Sequence, residues 1–170
     1  MKIRLAGILP NSTANGFGLR KVFFSQGCSK HCQDCFNQHT WPFEGGKWCD
    51  CDQLINETLD ETYLAGVTFS GGDPFEQAQP FAYMAKKFKK HNINIWSYSG
   101  YTYEEIKKIA KKDKFVNELL HNIDILIDGR FDKNHMKPEV IYRGSNNQRI
   151  IDVKKTLKNN VVVLWEAHNE

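Results

Sequence analysis

The sequence has no apolar run approaching the roughly 20 residues that cross a bilayer, so no membrane partner is expected. Its opening residues, MKIRLAGILPNSTANG, lack the long apolar stretch and small-residue cleavage site of a secretory leader. A reducing cytoplasm is the expected compartment. Internal repeats, low-complexity tracts and linker-like stretches are also missing, so residues 1–170 are read as one domain with a core of ordinary size. An excess of charge of either sign is lacking too: the net charge is +3, too mild to argue for a nucleic-acid partner. What is present, 41% hydrophobic and 25% charged residues, describes a soluble globular chain rather than a disordered tail.

The lysines concentrate in Lys86-Lys87-Phe88-Lys89-Lys90 and in the pairs Lys107-Lys108 and Lys111-Lys112. Phe81, Met84, Ala85 and Phe88 recur at helical spacing around the first group, and Tyr103, Ile106, Ile109 and Ala110 around the second. The lysines fall opposite these apolar stripes and are read as solvated helix faces, not as a binding patch.

The five cysteines are an odd set, and Cys28, Cys32 and Cys35 fall within eight residues. In a cytosolic chain such clustering points to a metal site before disulfides. Thiolates at the CxxxCxxC spacing can wrap one compact centre from a single loop. Iron–sulfur clusters are normally held by four cysteine thiolates. Three ligands from one loop leave one iron open to bind and transform a substrate, unless Cys49 or Cys51 fills the gap. Zinc is the competing reading, with four cysteines, or three plus His31 or His39, around one ion. Zinc sites usually pair two short knuckles, however, and this loop has one Cys-x-x-Cys extended upstream. His31 and His39 are therefore read as loop residues.

Along the chain, strands alternate with helices. Lys21–Ser25 reads as a strand ending at Gly27, just before the cysteines, and Asp50 with Gln53 resembles a capping box opening a helix through Leu54, Ile55 and Leu59. Gly66–Ser70 reads as a buried strand closed by Gly71-Gly72. Asp73-Pro74-Phe75-Glu76 then supplies an N-cap, a first-turn proline and a carboxylate three residues on. Ile93–Tyr98 is a strand before a helix opened by Thr102 and Glu105, Ile123–Ile127 another, and Val161–Trp165 a candidate last strand. This alternation predicts an α/β fold with mainly parallel strands and crossover helices. The chain is too short for a closed eight-stranded barrel of about 250 residues, so a partial, open (β/α) barrel is expected. Ligands of such sheets sit at the carboxyl ends of the strands. The cysteine loop, Gly71-Gly72 and Asp128-Gly129-Arg130 would all lie there.

A CxxxCxxC loop after a first strand resembles the signature of the radical S-adenosylmethionine superfamily. Ser70-Gly71-Gly72-Asp73-Pro74, Trp96-Ser97-Tyr98-Ser99-Gly100-Tyr101, Asp128-Gly129-Arg130-Phe131 and Arg143-Gly144-Ser145-Asn146-Asn147-Gln148 follow in order. That series, over roughly Gly16 to Asp152, is similar to the activating proteins of anaerobic ribonucleoside-triphosphate reductases. The resemblance implies a radical SAM fold and an oxidoreductase activase. Cys28, Cys32 and Cys35 would ligate a [4Fe–4S] cluster, and S-adenosylmethionine would chelate the fourth iron. Reductive cleavage would yield methionine and a 5′-deoxyadenosyl radical, which would take hydrogen from a glycine of the large catalytic subunit of the reductase. A low-potential electron donor of flavodoxin or ferredoxin type would supply the electron. Asp34, Cys35, Phe36, Gly71 and Gly72 would contact S-adenosylmethionine, and Arg143–Gln148 would help close the site or receive the partner's glycine loop.

Some features depart from the family pattern. The usual Gly-Pro-Gly is Gly16-Phe17-Gly18 here, and Asp34 puts a charge where the activases generally have a small residue. Cys49-Asp50-Cys51 matches no family motif, Trp96 is read as core, and Tyr98 and Tyr101 are open between core and site. Two rival readings stand: an activase of another glycyl radical enzyme, such as pyruvate formate-lyase, and a small zinc-binding adaptor.

Overall fold

The computed structural model describes residues 1–167. Seven strands, β1 (Lys2–Ser12), β2 (Arg20–Ser25), β3 (Lys47–Asp50), β4 (Gly66–Gly71), β5 (Asn94–Tyr98), β6 (Ile125–Asp128) and β7 (Arg149–Asp152), form one sheet. Their order is β3-β1-β2-β4-β5-β6-β7. β2, β4, β5 and β6 run parallel, while β1, β3 and β7 join antiparallel. The expected open, mainly parallel α/β sheet is therefore what the chain forms, with antiparallel margins and without closure into a barrel.

Five helices accompany the strands among the described residues: α1 (Cys51–Leu59), α2 (Ala78–Lys90), α3 (Tyr103–Ala110), α4 (Lys114–Asn122) and α5 (Val153–Asn159). Alternation along the strands sorts side chains between the two faces. On β5 and β6, Ile95 and Leu126 join Phe23, Phe69, Phe81, Met84 and Phe88 in the core shared with α2. Trp96, Ile125 and Ile127 point the other way, into a second cluster with Tyr98, Tyr142, Ile150 and Trp165. Trp96 is thus core, 2% exposed. Truncating a fully buried ring such as Phe81, at 0% exposed, to alanine costs about 3–5 kcal/mol.

The helix starts follow their caps. Thr102 and Glu105 make a complete reciprocal box at α3, 2.8 and 3.2 Å. At α1, Asp50 accepts from the amides of Asp52 and Gln53, but Gln53 Nε2 donates to Glu57 Oε1 at 2.8 Å, so the reciprocal half of the expected box is absent. After Asp73 the chain makes a 3₁₀ turn over Pro74–Gln77 before α2 begins.

The ends of the chain correct two expectations. The long β1 and the short β3 are strands that the periodicity did not reveal. Pro10 lies beyond the stretch Lys2–Leu5 that pairs with β3, at an edge where its missing N–H costs no ladder bond. Val161–Trp165 is not a strand: only Leu164 bridges, to Ile151. The last strand is β7, which begins at the last residue of the polar segment Arg143–Arg149. Left-handed Asn160, φ 52°, turns the chain after α5, leaving Val161 and Leu164 exposed.

Candidate cluster and cofactor site

Strands β2, β4, β5 and β6 end on one rim, and each is followed by a segment of the site. The cysteine loop after β2 is closed by its own backbone: the Gly27 and Cys28 amides donate to the Thr40 and Trp41 carbonyls at 2.7 and 3.0 Å. Within it, the Cys35 amide donates to Cys32 O at 3.1 Å and the Asn37 amide to Cys35 Sγ at 3.3 Å. His31 and Asp34 take left-handed φ values of 48° and 58°, a conformation for which His and Asp are enriched among non-glycine residues. Both residue types therefore suit the winding of the loop. His31 stacks on Trp41, centroids 4.8 Å apart, as a loop residue would.

Gly71-Gly72 after β4 abuts this loop. The Gly72 amide donates to Ser25 O and the Asp73 amide to Gly27 O, at 2.8 and 2.9 Å. A Cβ on Gly72 would lie 2.2 Å from Gly27 O, and one on Gly71, φ 95°, would lie 2.5 Å from Ser25 N. Both glycines are required by the approach of backbone to backbone, a reason independent of any ligand. Asp73 is fully buried and ties the turn to the end of β5, accepting from Phe75 N at 3.0 Å, Ser99 Oγ at 3.0 Å and Gly100 N at 2.9 Å. Burial pushes its carboxyl up to about 6, against the lowering effect of these donors.

The long segment from Gly129 to Gln148 forms the facing wall. Gln148 staples it, accepting from the Gly144 and Ser145 amides at 2.8 and 3.1 Å and donating to Gly129 O at 2.9 Å. Tyr98 Oη donates to Tyr142 O, and Arg143 donates to Gln148 O and to Asn146 Oδ1.

These walls enclose a cavity of about 440 Å³. Cys28, Cys32 and Cys35 line one side, with Phe36, Gly71 and Gly72. Tyr98, Ser99, Phe131, Arg143 and Gln148 line the other, as does Asn15 from the β1–β2 connection. Tyr98 and part of Arg143–Gln148 thus belong to the site, whereas Asn147 is a staple, donating to Arg130 O at 2.8 Å. Phe36 packs against Phe131, centroids 5.0 Å apart, yet remains 65% exposed. The Asp34 carboxylate turns to Lys133 Nζ at 2.5 Å instead of the cavity. Lys30 and Ser99 lie within segments that the sequence singled out but were not themselves predicted, whereas Asn15 lines the cavity with no signal in the local sequence, because tertiary packing brings it there.

Cys49 and Cys51 do not line this cavity. Gly16-Phe17-Gly18 leads elsewhere: Phe17, with Arg20, Trp96 and Trp165, lines a roomier cavity of about 550 Å³ that holds no cysteine. Among the described residues, no three His, Cys, Asp or Glu groups converge tightly enough to hold a single metal ion. Cys28, Cys32 and Cys35 on one cavity are the soft thiolate donors that an iron–sulfur core takes. Burial also raises the pKa of the Cys28 thiol, a cost that ligation to metal removes by deprotonating it.

Comparison with known proteins agrees. A family described as a 4Fe-4S single cluster domain matches residues 14–151. The anaerobic ribonucleoside-triphosphate reductase-activating protein of Haemophilus influenzae is 35% identical over 150 residues, 83% of this chain and 92% of the relative. Its counterpart in Enterobacteria phage T4 is 31% identical, covering 84% and 90%. Among solved structures, QueE from Escherichia coli aligns at a TM-score of 0.47 and 17% identity, covering 60% of this chain and 54% of QueE. With three thiols and a glycine turn on one rim, the chain belongs to the family of anaerobic ribonucleoside-triphosphate reductase-activating proteins and carries a 4Fe–4S single-cluster domain.

Proposed function

We propose that this protein activates the large catalytic subunit of an anaerobic ribonucleotide reductase, with Cys28, Cys32 and Cys35 holding a [4Fe–4S] cluster and the rest of the cavity holding S-adenosylmethionine. The observation that carries the proposal is the convergence of the three thiols and Gly71-Gly72 on one cavity, in a chain of this family. When bound, the cluster would supply the electron for reductive cleavage of S-adenosylmethionine to methionine and a 5′-deoxyadenosyl radical, which would take a hydrogen atom from the partner's glycine to leave 5′-deoxyadenosine and the glycyl radical.

The chain's own residues bind, orient and exclude water. Gly71 and Gly72 carry no side chains, so the polar methionyl end can approach the backbone closely along this part of the cavity wall. Cys35 and Phe36 line the cavity, and the Phe36–Phe131 pair adds apolar surface that helps keep water from a radical. Asp34 lies outside the cavity lining and pairs its charge with Lys133, so its carboxylate takes no part in holding the cofactor. Arg143 and Gln148 supply donors on the opposite wall. A flavodoxin- or ferredoxin-type donor suits a cluster class whose potentials reach about −700 mV.

The test is anaerobic reconstitution with iron and sulfide, then dithionite and S-adenosylmethionine. A brown protein forming 5′-deoxyadenosine and methionine is expected, and an organic radical signal should appear once the reductase is added. A colourless, zinc-loaded protein forming neither product would sink the proposal. A radical raised on a pyruvate formate-lyase-type enzyme instead would reassign the partner.

A further inference from the structure

Glu76 stands three residues after the capping Asp73, where a glutamate ordinarily folds back on the N-cap amide. Here the Asp73 amide is already bonded to Gly27 O at 2.9 Å, and the Glu76 carboxylate reaches across the rim. Its Oε1 accepts from Ser29 Oγ and, at 3.0 Å, from Tyr101 Oη. Lys30 Nζ lies 3.7 Å from the same oxygen, 3.0 Å from Ser29 Oγ and 3.1 Å from the centroid of the Tyr101 ring. The Lys30 side chain is only 6% exposed and lines the cavity. One carboxylate oxygen thus joins the turn after β4, the segment after β5 and the stretch between Cys28 and Cys32.

We infer that Glu76 is a positioning residue for the cysteine loop and the counter-charge of Lys30, an inference that rests on the cluster reading above. The base of the loop is set by Gly27–Thr40 and Cys28–Trp41 bonds, which fix where it enters and leaves the rim. The turn between the first two cysteines is set separately. Ser29 and Lys30 are held by Glu76, and His31 by its stack on Trp41. A buried ammonium beside the cavity also needs a negative partner, or it would raise the potential of any centre held there.

Three variants test this. In the apo-protein, Glu76→Ala should speed amide hydrogen exchange in residues 28–33 while the sheet core stays unchanged. In the reconstituted protein it should weaken cluster retention against a chelator by about tenfold, equivalent to about 1.4 kcal/mol. Glu76→Gln keeps an acceptor for Ser29 and Tyr101, so it should restore retention yet shift the cluster midpoint potential upward. Adding Lys30→Met to Glu76→Gln should bring the potential back. Exchange and retention unchanged in Glu76→Ala would overturn the inference, as would equal losses in Glu76→Ala and Glu76→Gln with exchange raised throughout. A wild type that takes up no cluster would refute the cluster reading instead, and the apo-protein exchange would still report whether Glu76 anchors the loop.

Discussion

Cysteine and a capping aspartate occur together twice, at the rim with Cys28, Cys32, Cys35 and Asp73, and at the β3–α1 corner in Cys49-Asp50-Cys51. Both aspartates accept backbone amides at the start of a helical turn. At the rim, Asp73 is fully buried and its carboxyl is pushed up to about 6. At the corner, Asp50 is open to water, and the Gln53 amide, foremost among its partners, holds its pKa below the ordinary value. The thiols differ in their surroundings rather than in burial alone, since Cys28 is itself buried at the cavity wall. Cys51, 0% exposed, packs with Ile3, Leu54 and Ile55 and is pushed by burial up to about 11. In a packed corner a thiol is a small apolar side chain, whereas in a loop at the carboxyl ends of parallel strands it faces a cavity.

The largest effect expected from this contrast is complete. Cys28→Ala, Cys32→Ala and Cys35→Ala should each abolish cluster binding and 5′-deoxyadenosine formation, while Cys49→Ala and Cys51→Ala should retain both. Iron and sulfide content checks this, and loss of the cluster in Cys51→Ala would break the comparison.

The aspartates should give opposite pH dependences of stability in the apo-protein. The pKa of Asp73 is near 6 folded and about 3.8 unfolded, so the folded state binds its proton more tightly. Its protonated form stabilises fully below about pH 4, and that benefit, up to about 3 kcal/mol, disappears as pH rises through 6. Asp50, lowered on folding, contributes above its unfolded value and loses the contribution on acidification. Urea titrations should show Asp73→Asn flattening the decline between pH 4 and 6.5, and Asp50→Asn flattening the loss at lower pH. Identical slopes would remove the electrostatic half of the contrast.

Smaller effects sharpen it. Iodoacetamide at pH 8 should label Cys32 and Cys35 of the apo-protein first and Cys51 last, since a thiol at about 11 is ionised there at about one part in a thousand. Mass-spectrometric peptide mapping gives the order. Cys51→Ala should cost about 1 kcal/mol, the scale of deleting one buried methyl-sized group, and half-buried Cys49 should lie within about 0.5 kcal/mol of wild type.

Legibility followed how local the physics was. The four parallel strands are read from short apolar runs ended by glycine or aspartate, and α3 from Thr102 and Glu105, because each signal lies within a few residues of what it specifies. β1 is illegible locally because Gly7 and Pro10 interrupt its pattern, and they are tolerated where the strand has run past its pairing with β3. β7 has only Ile150 and Ile151 as an apolar signal, and its pairing partner, β6, lies more than 20 residues away. Val161–Trp165 has the composition of a strand but gains only one bridge.

By itself, the sequence determined the alternation of strand and helix, and with it the rim on which a CxxxCxxC loop and a glycine turn would meet. Cysteine spacing and backbone flexibility are properties of adjacent residues, so they survive without knowledge of the fold. Only the tertiary structure decided that Gly71 and Gly72 are required by contact with β2 and the cysteine loop, that Asp34 pairs with Lys133, and that Glu76 turns from its own helix to Ser29, Lys30 and Tyr101. Those contacts join residues 25 or more positions apart, and burial and distance at that separation are set by how the sheet folds.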